Sequence, residues 1–240
     1  MKFILFRNIV RYVAACSLAI ITPYGVHAKS TDSCSQSVEG VNEYSHADLI
    51  KRVVAVAPGR ISVGPMVSLR AEAEDVCKTK KNCLLEGALP LKAGVNGVEL
   101  SRTGRWICVG VHGKQKLDIW VGWLPKERWQ RTESEQAWNH WFGVWQNDYA
   151  KIKIQATKEQ QMLVTGNAIW VGVYSPHYGN FELISTPTNG VISTPQPPSG
   201  SDCQIALRLV GSFIFAADNH QCGGANITFD GMYVFRSGLR

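Results

Sequence analysis

Met66-Val67-Ser68-Leu69-Arg70, Leu89-Pro90-Leu91-Lys92-Ala93-Gly94, Gly104-Arg105-Trp106-Ile107-Cys108-Val109 and Trp120-Val121-Gly122-Trp123-Leu124-Pro125 are short apolar segments that follow one another between residues 66 and 129. Each is too short for a core helix. Gly94-Val95-Asn96-Gly97 and His112-Gly113-Lys114 read as turns between them, because Gly and Asn tolerate positive φ. From Ile61 onward no long 3.6-residue period is visible, and apolar runs are broken by Gly, Pro and Asn. That texture predicts many-stranded β architecture.

The same texture extends outward. Lys151-Ile152-Lys153-Ile154-Gln155 alternates polar and apolar, as a half-buried strand does. Met162-Leu163-Val164 and Ala168-Ile169-Trp170 follow. Gln204 to Val210 and Phe213 to Ala216 flank Gly211-Ser212, which predicts a two-residue hairpin. Ile227-Thr228-Phe229 and Met232 to Phe235 are separated by Asp230-Gly231 and read as further strands. The stretch from Thr186 to Asp202 holds Pro187, Pro195, Pro197 and Pro198 and is expected to be a loop. Helices are expected to be short. Ser45 to Val54 has Ser45 as N-cap and Asp48 at the third helical position, with Pro58-Gly59 expected to end it. Glu133 to Trp141 reads as a brief helical linker.

The order of the four opening segments resembles a bacterial SH3-like (SH3b) module, which runs from a strand of the L-x-V-R kind through an x-L-x-x-G turn and a G-x-W-x-x-V strand to a closing G-W-V or G-W-L. The second half is similar to the lipocalin and avidin superfamily, with Gly143-Val144-Trp145 on the opening strand of a meander. Its ending, Asp218-Asn219-His220-Gln221-Cys222-Gly223-Gly224-Ala225-Asn226-Ile227-Thr228-Phe229-Asp230-Gly231-Met232-Tyr233, resembles that of small lipocalin-like domains in exported bacterial proteins. Together these resemblances imply an all-β chain: an extension at 29–60, an SH3-like small barrel at 61–131, a linker at 132–140 and a lipocalin-like barrel or sandwich at 141–238. They imply binding more than catalysis. The expected partner is peptidoglycan or a wall-associated envelope protein. Two alternatives stand beside it: an inhibitor or immunity protein acting on a lysozyme-type enzyme, and a small-ligand carrier in the second barrel.

The N-terminus reads as a signal peptide. Lys2, Arg7 and Arg11 precede a ten-residue apolar run from Tyr12 to Ile21, too short to span a bilayer, and Val26-His27-Ala28 predicts cleavage after Ala28. Without those three cations, 25 − 3 = 22 basic residues face 19 acidic ones, about +3. That balance gives no nucleic-acid footprint. The one basic cluster, Lys78-Thr79-Lys80-Lys81, reads as a solvated loop with some attraction to an anionic surface. No integral membrane span is expected after cleavage, and the location is periplasmic or secreted.

Seven cysteines become six once Cys16 leaves with the signal, an even count that predicts disulfides in an oxidising compartment. Cys203 and Cys222 are expected to pair. Cys34, Cys77, Cys83 and Cys108 allow three connectivities, and closing the shortest loop favours Cys77–Cys83 with Cys34–Cys108.

Asp202-Cys203-Gln204 is the nearest approach to a catalytic motif. It resembles the Asp-Cys-Ser-Gly setting of NlpC/P60-type cysteine peptidases, but lacks the Ser-Gly, and Ile205 to Val210 reads as a strand that offers no helix dipole to the sulfur. His46, His112, His140, His177 and His220 are scattered singly. Asp218, Asn219, Asn226 and Asp230 are oxygen-rich, a composition that suits β-turns and also Ca²⁺, with the turn reading the stronger of the two. No cofactor and no metal is expected. Tryptophan supplies the candidate ligand contacts. If Ile119 and Val121 face inward, Trp120 faces the opposite side and Trp123 shares the inward face. Trp120 and Trp129 are therefore the candidate binding residues, and Trp106 and Trp123 are assigned to the core.

Overall fold

A computed structural model describes residues 34, 45–71, 84, 89–114, 118–133, 137–195 and 202–237. The signal peptide, the Lys78–Lys81 cluster and the Cys77–Cys83 pair lie outside the described residues. The fold is all-β. One α-helix, α1 (His46–Ala55), precedes thirteen strands among the described residues: β1 (Ala57–Ile61), β2 (Asn96–Thr103), β3 (Trp106–His112), β4 (Ile119–Pro125), β5 (Trp129–Arg131), β6 (Gly143–Gln146), β7 (Ala150–Ala156), β8 (Met162–Val171), β9 (Pro176–Ser185), β10 (Val191–Ser193), β11 (Ile205–Val210), β12 (Phe213–Asp218) and β13 (Gly231–Ser237).

The first sheet has the order β4-β3-β2-β1-β5, and every pairing in it is antiparallel. Its earliest strand therefore lies beside its last. The second sheet has the order β10-β11-β12-β13-β6-β7-β8-β9. This is an up-and-down meander in which β6 pairs with β13, so the ring is nearly closed with its ends at β9 and β10. The expected hairpin is present: β11 and β12 join through Gly211 and Ser212, with Val210 opposite Phe213 and Gly211 at φ +59°.

The two sheets are stacked, and strand alternation sorts side chains into three apolar layers. On β3, Ile107, Val109 and Val111 point into the first module with Leu69, Leu91, Leu124 and Trp129. Trp106 and Cys108 point the other way, toward Phe213, Phe215, Met232 and Val234 of the second sheet. On β12 and β13, Ile214, Ala216 and Tyr233 point into the barrel with Trp141, Trp145, Phe181 and Phe229. The middle layer belongs to both modules. Gly110 of β3 lets the sheets approach closely, because a Cβ there would collide with the Met232 sulfur.

Helix α1 seals one side of that middle layer. Ser45 and Asp48 form the expected capping box, with Asp48 N–H donating to Ser45 Oγ at 3.3 Å. Leu49 and Val53 are fully buried in the same layer. The helix ends without a glycine. Instead Arg208 of β11 donates to the carbonyls of Val54 and Val56, each at 2.6 Å, which satisfies groups that a helix terminus leaves open. The segment expected to be an N-terminal extension is thus packed onto the second sheet.

Several local expectations are corrected. Pro58-Gly59 does not stand as a breaker after the helix: both residues lie within β1. The β1–β5 ladder begins only at Gly59, and Gly59 is required because the Trp129 indole occupies the space of its Cβ. Met66 to Arg70 forms no full strand but only single bridges, Val67 to Leu91 and Arg70 to Leu84 and Trp123. Leu84 and Leu89, apolar residues of the first module that a buried strand would enclose, are 57% and 53% exposed. The proline-rich loop contains a short strand, β10, and residues 227–229 are not a strand.

Candidate functional site

The cysteine in the peptidase-like motif is not available as a nucleophile. Cys203 is bonded to Cys222 at an S–S distance of 2.04 Å, and Cys34 to Cys108 at 2.07 Å. The first bridge lies within the second module, and the second ties Cys34, well upstream of α1, to β3.

Trp129 is not a surface contact. It is 7% exposed and lies across Gly59 and Gly97, where the β1 and β2 backbones leave room for a flat ring. Trp120 is half-buried. It does face opposite to Ile119 and Val121, as alternation requires, but that opposite face is the inner layer of the first module, not solvent. Trp106 and Trp123 are buried in the middle layer, as expected. Nearby, Glu99 is buried: desolvation pushes its carboxyl up, but Arg102 and Arg131 outweigh that and hold it below the ordinary value.

The oxygen-rich ending forms a compact network at one end of the barrel. Asp218 is fully buried and accepts from Phe229 N–H at 2.7 Å, Thr228 Oγ1 at 3.1 Å and His220 N–H at 3.2 Å. Asp230 accepts from Asp218 N–H at 2.7 Å and from the Arg52 guanidinium at 2.7 Å. Burial pushes the Asp218 carboxyl up to about 6, the Asp230 charge adds to this, and the Phe229 N–H opposes it. Ligand atoms of Asp218, His220 and Asp230 lie within 4.8 Å of one another. Asp230 is engaged by the Arg52 fork and lies 3.7 Å from His220 Nε2, and the Arg52 contact ties α1 to the barrel end. Asn219 and Asn226 are turn residues: Asn219 Oδ1 accepts from Gln204 and Gln221 N–H groups, and Asn226 sits at φ +64°.

Two concavities flank the turn between β6 and β7. One is a cleft of about 340 Å³ between the sheets, walled by Leu100, Ile119 and Val121 on one side and Phe215 and Met232 on the other, with the Arg52–Asp230 pair at its edge. The other is a shallow trough of about 560 Å³ on the outer face of β7, β8 and β9. Register builds it. Lys151, Asn167 and Asn180 stand opposite one another across the three strands, and Ile169 stands opposite Tyr178 on the same face. Tyr149 and Tyr178 are 67% and 64% exposed, which leaves both rings available to a ligand. Asn147 accepts from the Tyr149 and Ala150 N–H groups and fixes the turn that presents Tyr149.

These residues were not among the sequence-derived candidates. Tyr149 lies in a turn and Tyr178 in a strand that alternation did not single out. Asn167 and Asn180 meet only through the β8–β9 register, which is not a local property of the sequence. Comparison with known proteins finds no matching family model, no matching curated protein and no matching solved structure.

Proposed function

We propose that this chain is an exported binding protein of the bacterial cell envelope that recognises the glycan of peptidoglycan. The observation that carries the reading is the trough, where Asn167 and Asn180 form one row and the exposed rings of Tyr149 and Tyr178 flank Ile169 in the next. Sugars offer hydroxyl pairs and acetamido groups, which match an amide that both donates and accepts. They also offer C–H faces, which stack on aromatic rings. The SH3b resemblance of the first module points to the same target, and the nearly closed sequential meander is compatible with a lipocalin-like second module. Two disulfides, and the absence among the described residues of a helix long and apolar enough to cross a membrane, accord with export.

Catalysis draws no support from the geometry, since the one sequence-nominated nucleophile is in a disulfide. Carriage of a ligand inside the second barrel is disfavoured because Trp141, Trp145, Phe181, Phe229 and Tyr233 fill it. The test is co-sedimentation with purified insoluble peptidoglycan. Wild type should pellet with the wall, and Tyr178→Ala should bind at least about tenfold more weakly, the effect of losing roughly 1.4 kcal/mol at a contact residue. Trp120→Ala, placed outside the trough, should bind as wild type does. A protein that leaves the wall in solution but inhibits a lysozyme is an inhibitor, and the glycan reading is then wrong.

A further inference from the structure

The trough does not end at its own rim. Along β8 the outward side chains run Asn167, Ile169, Val171, and along β9 they run Asn180, Tyr178, Pro176. Beyond them the connection Gly172-Val173-Tyr174-Ser175 projects from the sheet, with Val171, Val173 and Tyr174 exposed at 76%, 91% and 100%. At the usual strand rise of about 3.3 Å per residue, the four steps from Asn167 to Val171 put this tip about 13 Å from the amide pair. No Asp, Glu, Lys or Arg occurs anywhere between Gln160 and Phe181. The tip is also anchored. The Trp170 indole folds over Gly172, where a Cβ would collide with it, and tilts against His177 at 5.2 Å.

The outer face is therefore graded in one direction. An uncharged apolar tip comes first, then Ile169 with the Tyr178 and Tyr149 rings, then Asn167, Asn180 and the Lys151 ammonium. A bilayer surface has the same sequence of chemistry: acyl chain, an interfacial zone that favours Tyr and Trp, then anionic and polar headgroups. A face built only for soluble sugar gains nothing from three bare apolar side chains beside it.

We infer that the ligand class of the trough is a wall saccharide still carried on a lipid, with the β8–β9 tip seated in the bilayer while Tyr149, Tyr178, Asn167 and Asn180 hold the sugar. This rests on the glycan reading above and adds the lipid to it.

The experiment uses full-length mature protein and three probes: free disaccharide-pentapeptide, the same saccharide linked through diphosphate to a polyisoprenoid in phosphatidylcholine vesicles, and plain phosphatidylcholine vesicles. Binding to the lipid-carried saccharide should be at least tenfold tighter than to either of the other probes. Val173→Asp and Tyr174→Asp alter fully exposed positions and should keep the melting temperature. They should reduce lipid-carried binding to the level of the free saccharide and leave the free-saccharide affinity unchanged. Tyr178→Ala should weaken both. Equal affinity for free and lipid-carried saccharide, or tip variants that bind vesicles like wild type, overturns the inference and leaves the glycan reading standing. Plain vesicles bound as tightly as loaded ones also overturn it, because the tip is then a general membrane contact. Failure to bind either saccharide form overturns the glycan reading itself.

Discussion

β3 and β12 are covered on both faces, whereas β8 and β9 are covered on one. Every residue from Trp106 to Val111 and from Phe213 to Asp218 is buried, while the outer face of β8 and β9 keeps Asn167, Ile169, Val171, Tyr178, Asn180 and Ile184 in solvent. The same backbone geometry thus produces two different sequence textures. A doubly covered strand reads as a continuous apolar run, and a singly covered strand alternates. The aromatic residues divide along that line. Trp106, Trp123, Trp129 and Phe213 are packing elements of the covered strands, and Tyr149, Tyr174 and Tyr178 are left over on the open side. An aromatic residue is a ligand candidate here when its face has no second layer, whatever its neighbours in sequence.

The largest expected effect lies at the covered extreme. Trp129 fills the space above Gly59 and Gly97 and is buried on all sides. Trp129→Ala should lose roughly 3–5 kcal/mol of stability in chemical denaturation, as truncation of a large buried aromatic does. A variant that unfolds at the wild-type midpoint would mean that the first module is open on the Trp129 side, and the contrast between the two regions would break down.

A pH dependence sharpens the comparison at the same covered strands. Asp218 ends β12, and burial raises its carboxyl from 3.8 to about 6, with help from the Asp230 charge. Between those two values the folded chain keeps a proton that the unfolded chain has released. The stability this provides is complete below about pH 3.8 and is lost as pH rises through about 6. At about 1.36 kcal/mol per pKa unit the loss is on the order of 3 kcal/mol. Urea midpoints of wild type and Asp218→Asn should therefore be measured at pH 4 and pH 7. The wild type should lose stability relative to the variant on going to pH 7, and a difference that stays constant would show Asp218 to be less enclosed than its neighbours.

How much of this was legible in sequence follows from the same distinction. Several of the strands, the capping box of α1 and the Gly211-Ser212 hairpin are local features readable from a few adjacent residues, and the Cys203–Cys222 bridge was expected from the cysteine count. Alternation also placed Trp120 opposite Ile119 and Val121. What covers that opposite face is set by Leu69 and Leu91, which come from separate segments, so nothing near Trp120 announced it. β1 was missed because Pro58-Gly59 reads as a breaker, and its glycine is explained only by Trp129 arriving from the far end of the module. β9 was missed because its outward Tyr178 and Ile184 are apolar, which blurs the inside–outside pattern. The trough was hidden for another reason: its residues assemble through register.

A smaller effect is expected where the two sheets meet. Gly110 leaves space that Met232 occupies, so Gly110→Ala should overpack the middle layer and cost about 1–3 kcal/mol. The second substitution Met232→Ala, made in the Gly110→Ala background, should return part of that loss, because the two residues compete for one volume. Simple additivity of the two changes would place Met232 away from Gly110 and loosen the stacking of the sheets.

The smallest expected effect is the most telling for the open side. Tyr178 stands on β9 opposite Ile169, with its ring largely in solvent and no second layer over it. Tyr178→Ala removes cross-strand contact with one exposed neighbour and creates no cavity, so stability should change by no more than about 0.5 kcal/mol. The same reasoning covers Tyr149, which is held by backbone bonds to Asn147 that its side chain does not make. Melting temperatures of both variants should match wild type. Their affinity for peptidoglycan should not, because a ring that does nothing for the fold is free to be used on a ligand. If Tyr178→Ala lowers the melting temperature as Trp129→Ala does, the outer face of β8 and β9 is covered in solution. Tyr178 would then be a packing residue like the tryptophans of the first module.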